Sequence, residues 1–137
     1  MDISLTASDN LTEVLEKIIE FTSRRDKVLT RNIEKFNTDG FVPKDLDVTG
    51  FADLMTMAVA EHIENDRLLL RDNDNIRFGR AGSFEAANVV DSRAAKLLKV
   101  NRKKYIEMQV NKLSENLVNK RMALELLEQK QGYPAIT

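Results

Sequence analysis

The sequence predicts an all-α fold: an antiparallel, coiled-coil-like pair of long N- and C-terminal helices with a short, partly irregular middle. Apolar residues recur every three or four positions towards both ends of the chain, which is the spacing of one face of a helix. Glycine and proline interrupt helices, and here they occur only in the middle and near the C-terminus. These patterns place the long helices at the ends and the irregular structure between them.

The N-terminal helix is predicted over about residues 9–37, with Asp9 or Asn10 as its N-cap. Apolar side chains then follow one another at helical spacing, and charged side chains occupy the opposite face. The stretch NTDG, residues 37–40, should end this helix, because Asn and Gly readily adopt the left-handed backbone found at helix C-termini.

The middle segment, about residues 38–88, is predicted to contain one shorter helix from about 51 to 71. Residues 41–50 contain a proline and a glycine and should be extended or looping. Residues 71–88 are polar and contain two glycines, which favours a loop with a short strand at 76–78.

The C-terminal helix is predicted over about residues 89–130, a stretch that contains neither glycine nor proline. At 1.5 Å per residue it would be roughly 60 Å long. A helix of that length cannot be buried within a small globule, so it should pair with the N-terminal helix and contact other chains as well. The predicted intrachain seam consists of Leu11, Leu15, Ile18, Ile33, Leu113, Leu117 and Leu124.

The composition argues against several classes of function. The chain has 21 basic and 22 acidic residues and a net charge of −1, so no overall field attracts nucleic acid or an anionic membrane. It has no cysteine, which excludes disulfides and thiolate metal sites. No apolar run reaches the roughly eighteen residues that span a bilayer, and no signal-peptide pattern is present at the N-terminus.

Catalytic and cofactor motifs are not evident. His62 is the only histidine and is expected to be a partly exposed bystander rather than a general base. The acidic stretch DNDN, residues 72–75, resembles the start of a calcium loop but lacks its later Gly and Glu. We therefore predict no enzyme, no cofactor and no metal site. A hydrolase that uses His62 and nearby carboxylates remains a competing hypothesis.

The break after the first helix carries a specific resemblance. The segment around it is similar to the N-terminal signature of bacterial flagellar basal-body rod and hook proteins, which reads Asn-Ile-Ala-Asn, two variable residues, then Thr-Pro-Gly-Tyr or Phe. Three signature positions differ, with Glu34, Lys35 and Asp39 in place of Ala, Asn and Pro. The matching positions are Asn32, Ile33, Thr38, Gly40 and Phe41.

Two further stretches resemble one rod member of this family. KDLD, residues 44–47, is similar to its Arg-Asp-Leu-Asp-Phe stretch. Asn88, Val90 and Asp91 resemble its Asn-x-Val-Asp segment, and a helix with Asn and Tyr four residues apart follows, here Asn101 and Tyr105.

The resemblance implies a single rod-type domain over residues 1–137 that assembles helically and transmits torque across the periplasm. Its partners would be other copies of itself, other flagellar rod subunits, and the membrane-ring and export-gate proteins of the basal body. It would be exported by the type III apparatus without a cleaved signal peptide, and would neither bind nucleic acid nor insert directly into the membrane. The alternative is a non-enzymatic helical adaptor that binds a partner helix. The positions assigned to subunit contacts and to the family motif are Asn32, Ile33, Phe36, Thr38, Gly40, Phe41, Asp45, Leu46, Asp47, Asn88, Asp91, Asn101 and Tyr105.

Overall fold

The computed structural model describes residues 3–79 and 84–132, with side chains from residue 10 onward. These residues are mostly helical, so the predicted all-α class is confirmed at that level. Residues 80–83 of the predicted middle segment lie outside the described part. The elements, in chain order, are α1 (Ile3–Glu34), β1 (Lys44–Asp45), α2 (Val48–Asn65), β2 (Ile76–Phe78), β3 (Phe84–Ala86), β4 (Val89–Val90), α3 (Ser92–Val100) and α4 (Arg102–Lys130).

The first helix begins before the predicted start at residue 9 and ends at Glu34, three residues before the predicted end. Its helical spacing buries Val14, Phe21 and Leu29 on one side. Beyond the helix the chain reverses through turns in which the Thr38 N–H donates to the Lys35 carbonyl and the Phe41 N–H donates to the Thr38 carbonyl, and Gly40 has a φ of +75°. Only glycine adopts this left-handed conformation without steric cost.

The second helix begins three residues earlier and ends six residues earlier than the predicted range of 51–71. Asp47 is its N-cap, since the carboxylate accepts a hydrogen bond from the Gly50 N–H at 3.0 Å. At the other end Asp66 adopts a left-handed conformation, and its N–H donates to the carbonyl of His62. Capping residues therefore set both boundaries, and apolar periodicity does not reveal them.

Two small antiparallel sheets hold the middle of the chain together. Strands β2 and β3 form a hairpin in which Ile76 lies opposite Ala86, and the predicted strand at 76–78 is confirmed. Strands β1 and β4 pair Lys44 with Val90. This second sheet ties the segment that follows α1 to the segment that precedes α3.

The predicted continuous helix over about 89–130 is wrong. The chain is extended at Asn101, where φ is −155° and ψ is 92°, so α3 and α4 are separate helices. The Asn101 side chain accepts a hydrogen bond from the Lys104 N–H and caps α4, while its own N–H closes α3 on the Leu97 carbonyl. An Asn side chain offers the backbone this alternative to continuous helix even where glycine and proline are absent.

The apolar core lies between α1, α2 and the β2–β3 hairpin. The rings of Phe21 and Phe51 stack with centroids 4.0 Å apart, and Phe84 meets Phe51 edge-on. Arg24 covers the Phe84 ring at 4.8 Å. The buried members of this cluster are Val14, Phe21, Leu46, Phe51, Leu54, Met55, Ala58, Ile76 and Phe84, and none of them belongs to α4.

Helix α4 lies along α1 outside this core. Near its start, Tyr105 contacts Asn32, and further on Asn116 contacts Thr22.

Candidate subunit interface

The segment that follows α1 is anchored by Asn32, a buried side chain near the end of that helix. The side-chain oxygen of Asn32 accepts from the Lys44 N–H at 3.1 Å, and the side-chain nitrogen of Asn32 donates to the Lys44 carbonyl at 2.7 Å. Both main-chain groups of Lys44 are thus satisfied by one side chain. This pairing holds β1 against α1 and closes the intervening residues into a projecting turn.

The projecting turn spans residues 35–43 and carries much of the family-like signature. Phe36 and Phe41 are half-buried, whereas Thr38 and Gly40 are exposed. The Phe36 ring lies 6.1 Å from the Tyr105 ring, so this aromatic side chain packs within the chain. A cleft of about 820 Å³ separates the turn from α1, and Phe41 and Asn88 contribute to its lining.

A buried hydrogen-bonded network joins α1 to the start of α4. The Tyr105 hydroxyl donates to the Asn32 carbonyl at 2.8 Å, and the Asn32 amide donates to the Gln109 side-chain oxygen at 2.9 Å. Burial, and secondarily the negative charge of Asp91, raises the pKa of Tyr105 to about 12. The phenol therefore stays protonated, and remains a donor, well above the usual tyrosine pKa.

A cluster of charged side chains lies next to this network, about one helical turn further along α4. Arg25 donates to both oxygens of Asp45, at 2.9 and 3.0 Å, and Lys112 bridges Asp45 and Asp91 at 3.2 and 2.6 Å. Burial alone would raise the pKa of Asp45, but the hydrogen bond and charge of Arg25, together with Lys112, outweigh it and lower the pKa below 3.8. The cluster cross-links α1, β1, the start of α3 and α4.

The face of α4 that meets α1 is polar, and this corrects the predicted seam. We call it the inner face. Asn116 donates to the Thr22 carbonyl and to Asp26, and Lys120 pairs with Asp26 at 3.7 Å. The inner face consists of Tyr105, Gln109, Lys112, Asn116, Lys120 and Ala123.

The leucines predicted to form the α4 half of that seam lie beside the inner face and not on it. Leu117 and Leu124 are 47% and 39% exposed, and Leu113 is half-buried. The α1 half fits better, since Leu15 is buried and Leu11, Ile18 and Ile33 are half-buried.

An apolar line therefore runs along the outside of α4. We call it the outer stripe; its members are Ile106, Val110, Leu113, Leu117 and Leu124. They follow each other at spacings of four, three, four and seven residues, as in a coiled-coil seam. Within the described residues no element covers Val110, which is 47% exposed like Leu117.

Several residues assigned to subunit contacts or to the family motif bind within the chain. Leu46 is part of the apolar core, and Asp45 belongs to the charge cluster. Asp47, Asp91 and Asn101 cap α2, α3 and α4 respectively. Their side chains stabilise the subunit itself, because each satisfies N–H groups that helix formation leaves unpaired.

The polar residues of the inner face were missed by sequence reasoning. Gln109, Asn116 and Lys112 repeat with Tyr105 at three- and four-residue steps, so a helical period was present. Because most members of the inner face are polar, this face does not appear as an apolar stripe in the sequence. Arg25 was also missed, although it is buried and bonded to Asp45.

His62 lies at the other end of the molecule. Its Nδ1 is 3.3 Å from the Asn10 amide and 3.7 Å from Asp66. Among the described residues no group of three or more acidic or histidine side chains is arranged to hold a metal ion. No helix in the described ranges is both long and apolar enough for a bilayer span.

No protein-family model, curated protein or solved structure matches this chain.

Proposed function

We propose that this protein is a structural subunit of the bacterial flagellar basal-body rod, most like the proximal rod protein, which assembles helically and transmits torque across the periplasm. The resemblance of the signature around Asn32 and Gly40 supports the family. The outer stripe is the observation that carries the assembly, because an apolar line with helical spacing requires a covering surface.

Stiffness is what torque transmission requires of such a subunit. In this proposal α1 and α4 form an antiparallel, coiled-coil-like pair, and the polar contacts along the inner face keep the two helices in register. Tyr105 and Asn116 of α4 bond directly to α1, and Lys112 is linked to Arg25 of α1 through Asp45. Sliding the helices past each other would break the hydrogen bonds of Tyr105 and Asn116 and leave buried donors unpaired in addition to the Gln109 amide nitrogen.

Self-assembly would cover the outer stripe. Burying a half-exposed Val or Leu contributes about 1 kcal/mol each by the area rule, so the stripe supplies a modest contact that gains strength through repetition. Many weak heterologous contacts repeated around a screw axis produce an open helical filament. The projecting turn at residues 35–43 and the cleft beside it would provide a second contact to neighbouring subunits.

The proposed partners are other copies of the chain, other flagellar rod subunits, and the membrane-ring and export-gate proteins of the basal body. The proposed location is the periplasmic rod, reached through the type III export apparatus. No enzymatic step, cofactor or nucleic acid enters this function.

Deletion of the encoding gene in its motile host tests the proposal. We expect cells that swim no longer and that lack flagellar structures from the rod outward, with both restored by the wild-type gene. A gene that carries Leu117→Glu should fail to restore motility, whereas Glu115→Gln, an exposed change on the same helix, should restore it. Normal flagella in the deletion strain would overturn the assignment.

A non-enzymatic helical adaptor is the second candidate, and one feature favours it. An apolar groove of about 370 Å³ lies between α1, α2 and the last part of α4, lined among others by Leu15, Phe21, Met55, Met122 and Leu126. A groove of this kind suits the apolar face of a partner helix. An adaptor would form a small oligomer of fixed size, whereas a rod subunit would form larger assemblies as its concentration increases.

A further inference from the structure

The near-neutral net charge of −1 conceals an uneven distribution of charge along the molecule. The tip formed by the α3–α4 connection carries mostly cations. The opposite end, where α2 and α4 finish beside the N-terminal part of α1, carries mostly acids. Helix α4 joins the two ends and spans roughly 40 Å at 1.5 Å per residue, so the ends are several Debye lengths apart at physiological salt.

The basic pole is built around the Asn101 break. Arg102 donates to Asn37 just beyond the end of α1, so the end of α1 lies at the same tip. Glu34 and Asp39 are nearby, but the cations outnumber them. The exposed cations of the basic pole are Lys35, Lys96, Lys99, Arg102, Lys103 and Lys104.

The acidic pole brings three chain segments together. The Asn10 amide on α1 lies 3.4 Å from Asp66 at the end of α2, and Leu15 shares the apolar groove with Leu126 near the end of α4. Arg67, which pairs with Glu61, and Arg121 and Lys130 also lie towards this end and are outnumbered. Its exposed acids are Glu16, Glu64, Asp66, Glu125 and Glu128.

Large aliphatic side chains are exposed at both poles. Val100, beside Lys99 and Arg102, is 79% exposed, and Ile63, beside Glu64, is 75% exposed. These are the two highest values among the large apolar residues in the described part of the chain. An apolar centre surrounded by a charged rim is the usual anatomy of a protein contact surface.

We propose that copies of this chain stack head to tail, with the basic pole of one copy against the acidic pole of the next. Val100 of one copy and Ile63 of its neighbour would lie at the centre, and the opposite charges would pair around them. The occupant is a second copy because the two surfaces are complementary in charge and each exposes aliphatic surface. Electrostatic complementarity of this kind fixes orientation and excludes like-charged pairings.

Head-to-tail stacking rests on the proposed function and deepens it, since it assigns the axial contact of the assembly. The outer stripe runs along the side of the molecule and would supply lateral contacts, whereas the poles would supply contacts along the stack. A contact between two different surfaces does not close on itself by two-fold symmetry, so it extends into a filament.

Two charge-reversal variants test the axial contact. Lys99→Glu/Lys103→Glu makes the basic pole acidic, and Glu64→Lys/Glu128→Lys makes the acidic pole basic. All four residues are exposed, and none makes an ion pair or a side-chain hydrogen bond among the described residues, so the fold should persist. Lys27→Glu/Glu115→Lys, at exposed positions midway along the molecule, is the matched control.

Sedimentation velocity of each purified protein gives the readout. At about 0.01 M salt, where screening is weak, the wild type and the control should associate. Each pole variant alone should associate about tenfold more weakly or worse. An equimolar mixture of the two pole variants should recover association, because opposite charges then face each other again. Raising the salt to about 1 M should weaken every one of these associations.

Unimpaired association of the single pole variants, or an equimolar mixture that stays dissociated while the wild type associates, would overturn the head-to-tail contact. That result would leave the rod assignment untouched, because the gene deletion tests the assignment in cells without reference to the poles. Conversely, normal flagella in the deletion strain would overturn the rod function even if purified copies stacked by charge.

Discussion

Asn32 shows how one residue can join distant parts of this chain. Its side chain forms hydrogen bonds with the N–H and the carbonyl of Lys44 and donates to Gln109. Its main-chain carbonyl accepts from the Tyr105 hydroxyl. Helix α1, strand β1 and helix α4 meet at this point. Buried polar residues of this kind fix one arrangement because every alternative leaves a donor or an acceptor unpaired.

Removal of the Tyr105 hydroxyl tests this network. Tyr105→Phe keeps the ring and loses one buried hydrogen bond, so the free energy of unfolding at pH 7 should fall by about 1 kcal/mol. Burial raises the pKa of Tyr105 to about 12 from a usual value of 10.0. The contribution of the Tyr105 hydroxyl to the free energy of unfolding is therefore fully present below pH 10 and is lost as the pH rises towards 12.

Chemical denaturation between pH 7 and pH 12 measures both effects, and a Tyr133→Phe background removes the other tyrosine. The difference in stability between the protein that keeps Tyr105 and its Tyr105→Phe variant should shrink above pH 10. An equal difference at every pH would contradict the described network.

The Asp45 carboxylate has the opposite pH dependence. Burial would raise the pKa of Asp45, but Arg25 and Lys112 outweigh it and lower that pKa below 3.8. The group therefore stabilises the fold above that pH, and the stabilisation is lost as the pH falls through the lowered pKa. Asp45→Asn leaves Arg25 buried without its counter-ion and should cost about 3 kcal/mol at neutral pH.

Thermal unfolding at pH 7 and at pH 3 checks this prediction, with Asp53→Asn on the exposed side of α2 as the control. The Asp45 variant should lose more stability at pH 7 than at pH 3, and the control should lose little at either. Equal behaviour of the two variants would show that the charge cluster is not a stabilising contact.

Single residues were the least predictable part of the molecule. The turn glycine at position 40 was recognisable, because the segment between two helical stretches had to reverse. The partners of Asn32, Asp45 and Asp91 lie far away in the sequence, and a polar side chain carries no local sign of the chain segment that it will meet. They were assigned to subunit contacts or to the family motif, and their side chains bind their own chain.

At the scale of elements, α4 has two faces with different uses. The inner face is polar and bonded to α1, and the outer stripe beside it is apolar, with Val110, Leu117 and Leu124 exposed. This distribution reverses the usual amphipathic rule, in which the apolar face packs inside the protein. Because apolar periodicity was read as a sign of intrachain packing, Leu117 and Leu124 were placed on the wrong side of the helix.

The break between α3 and α4 can be tested by removing its cap. Asn101→Ala deletes the hydrogen bond to the Lys104 N–H and should reduce the free energy of unfolding by about 1 kcal/mol. Asn101→Asp keeps a capping oxygen and should remain close to the wild type. Urea denaturation compares the three proteins, and a gain in stability for the alanine variant would contradict the capping role.

The existence of α1, α2 and the strand at 76–78 could be predicted from the spacing of apolar residues and from the positions of glycine and proline, because these features are local. Helix boundaries were set by capping residues and shifted by several positions. The division of the C-terminal helix depended on Asn101, and this residue type occurs both within helices and at their ends.

For the whole molecule, the prediction of a mostly helical chain with its irregular part in the middle followed from composition. The location of the apolar core did not, because α2 and the β2–β3 hairpin form it with α1, whereas the C-terminal helix, which was expected to do so, contacts α1 through polar side chains. The charge distribution was also hidden in the sequence, since a net charge of −1 says nothing about which ends the chain brings together.

The central claim is that a folded subunit leaves apolar surface on α4 that only sibling chains cover. Analytical ultracentrifugation over a wide range of protein concentrations tests it most directly, with Leu117→Ser/Leu124→Ser compared with the wild type. The wild type should form assemblies whose mass grows with concentration, and the variant should assemble about tenfold less with the same helical circular dichroism. A wild type that stays monomeric at every concentration, or a variant that assembles equally well, would contradict the account.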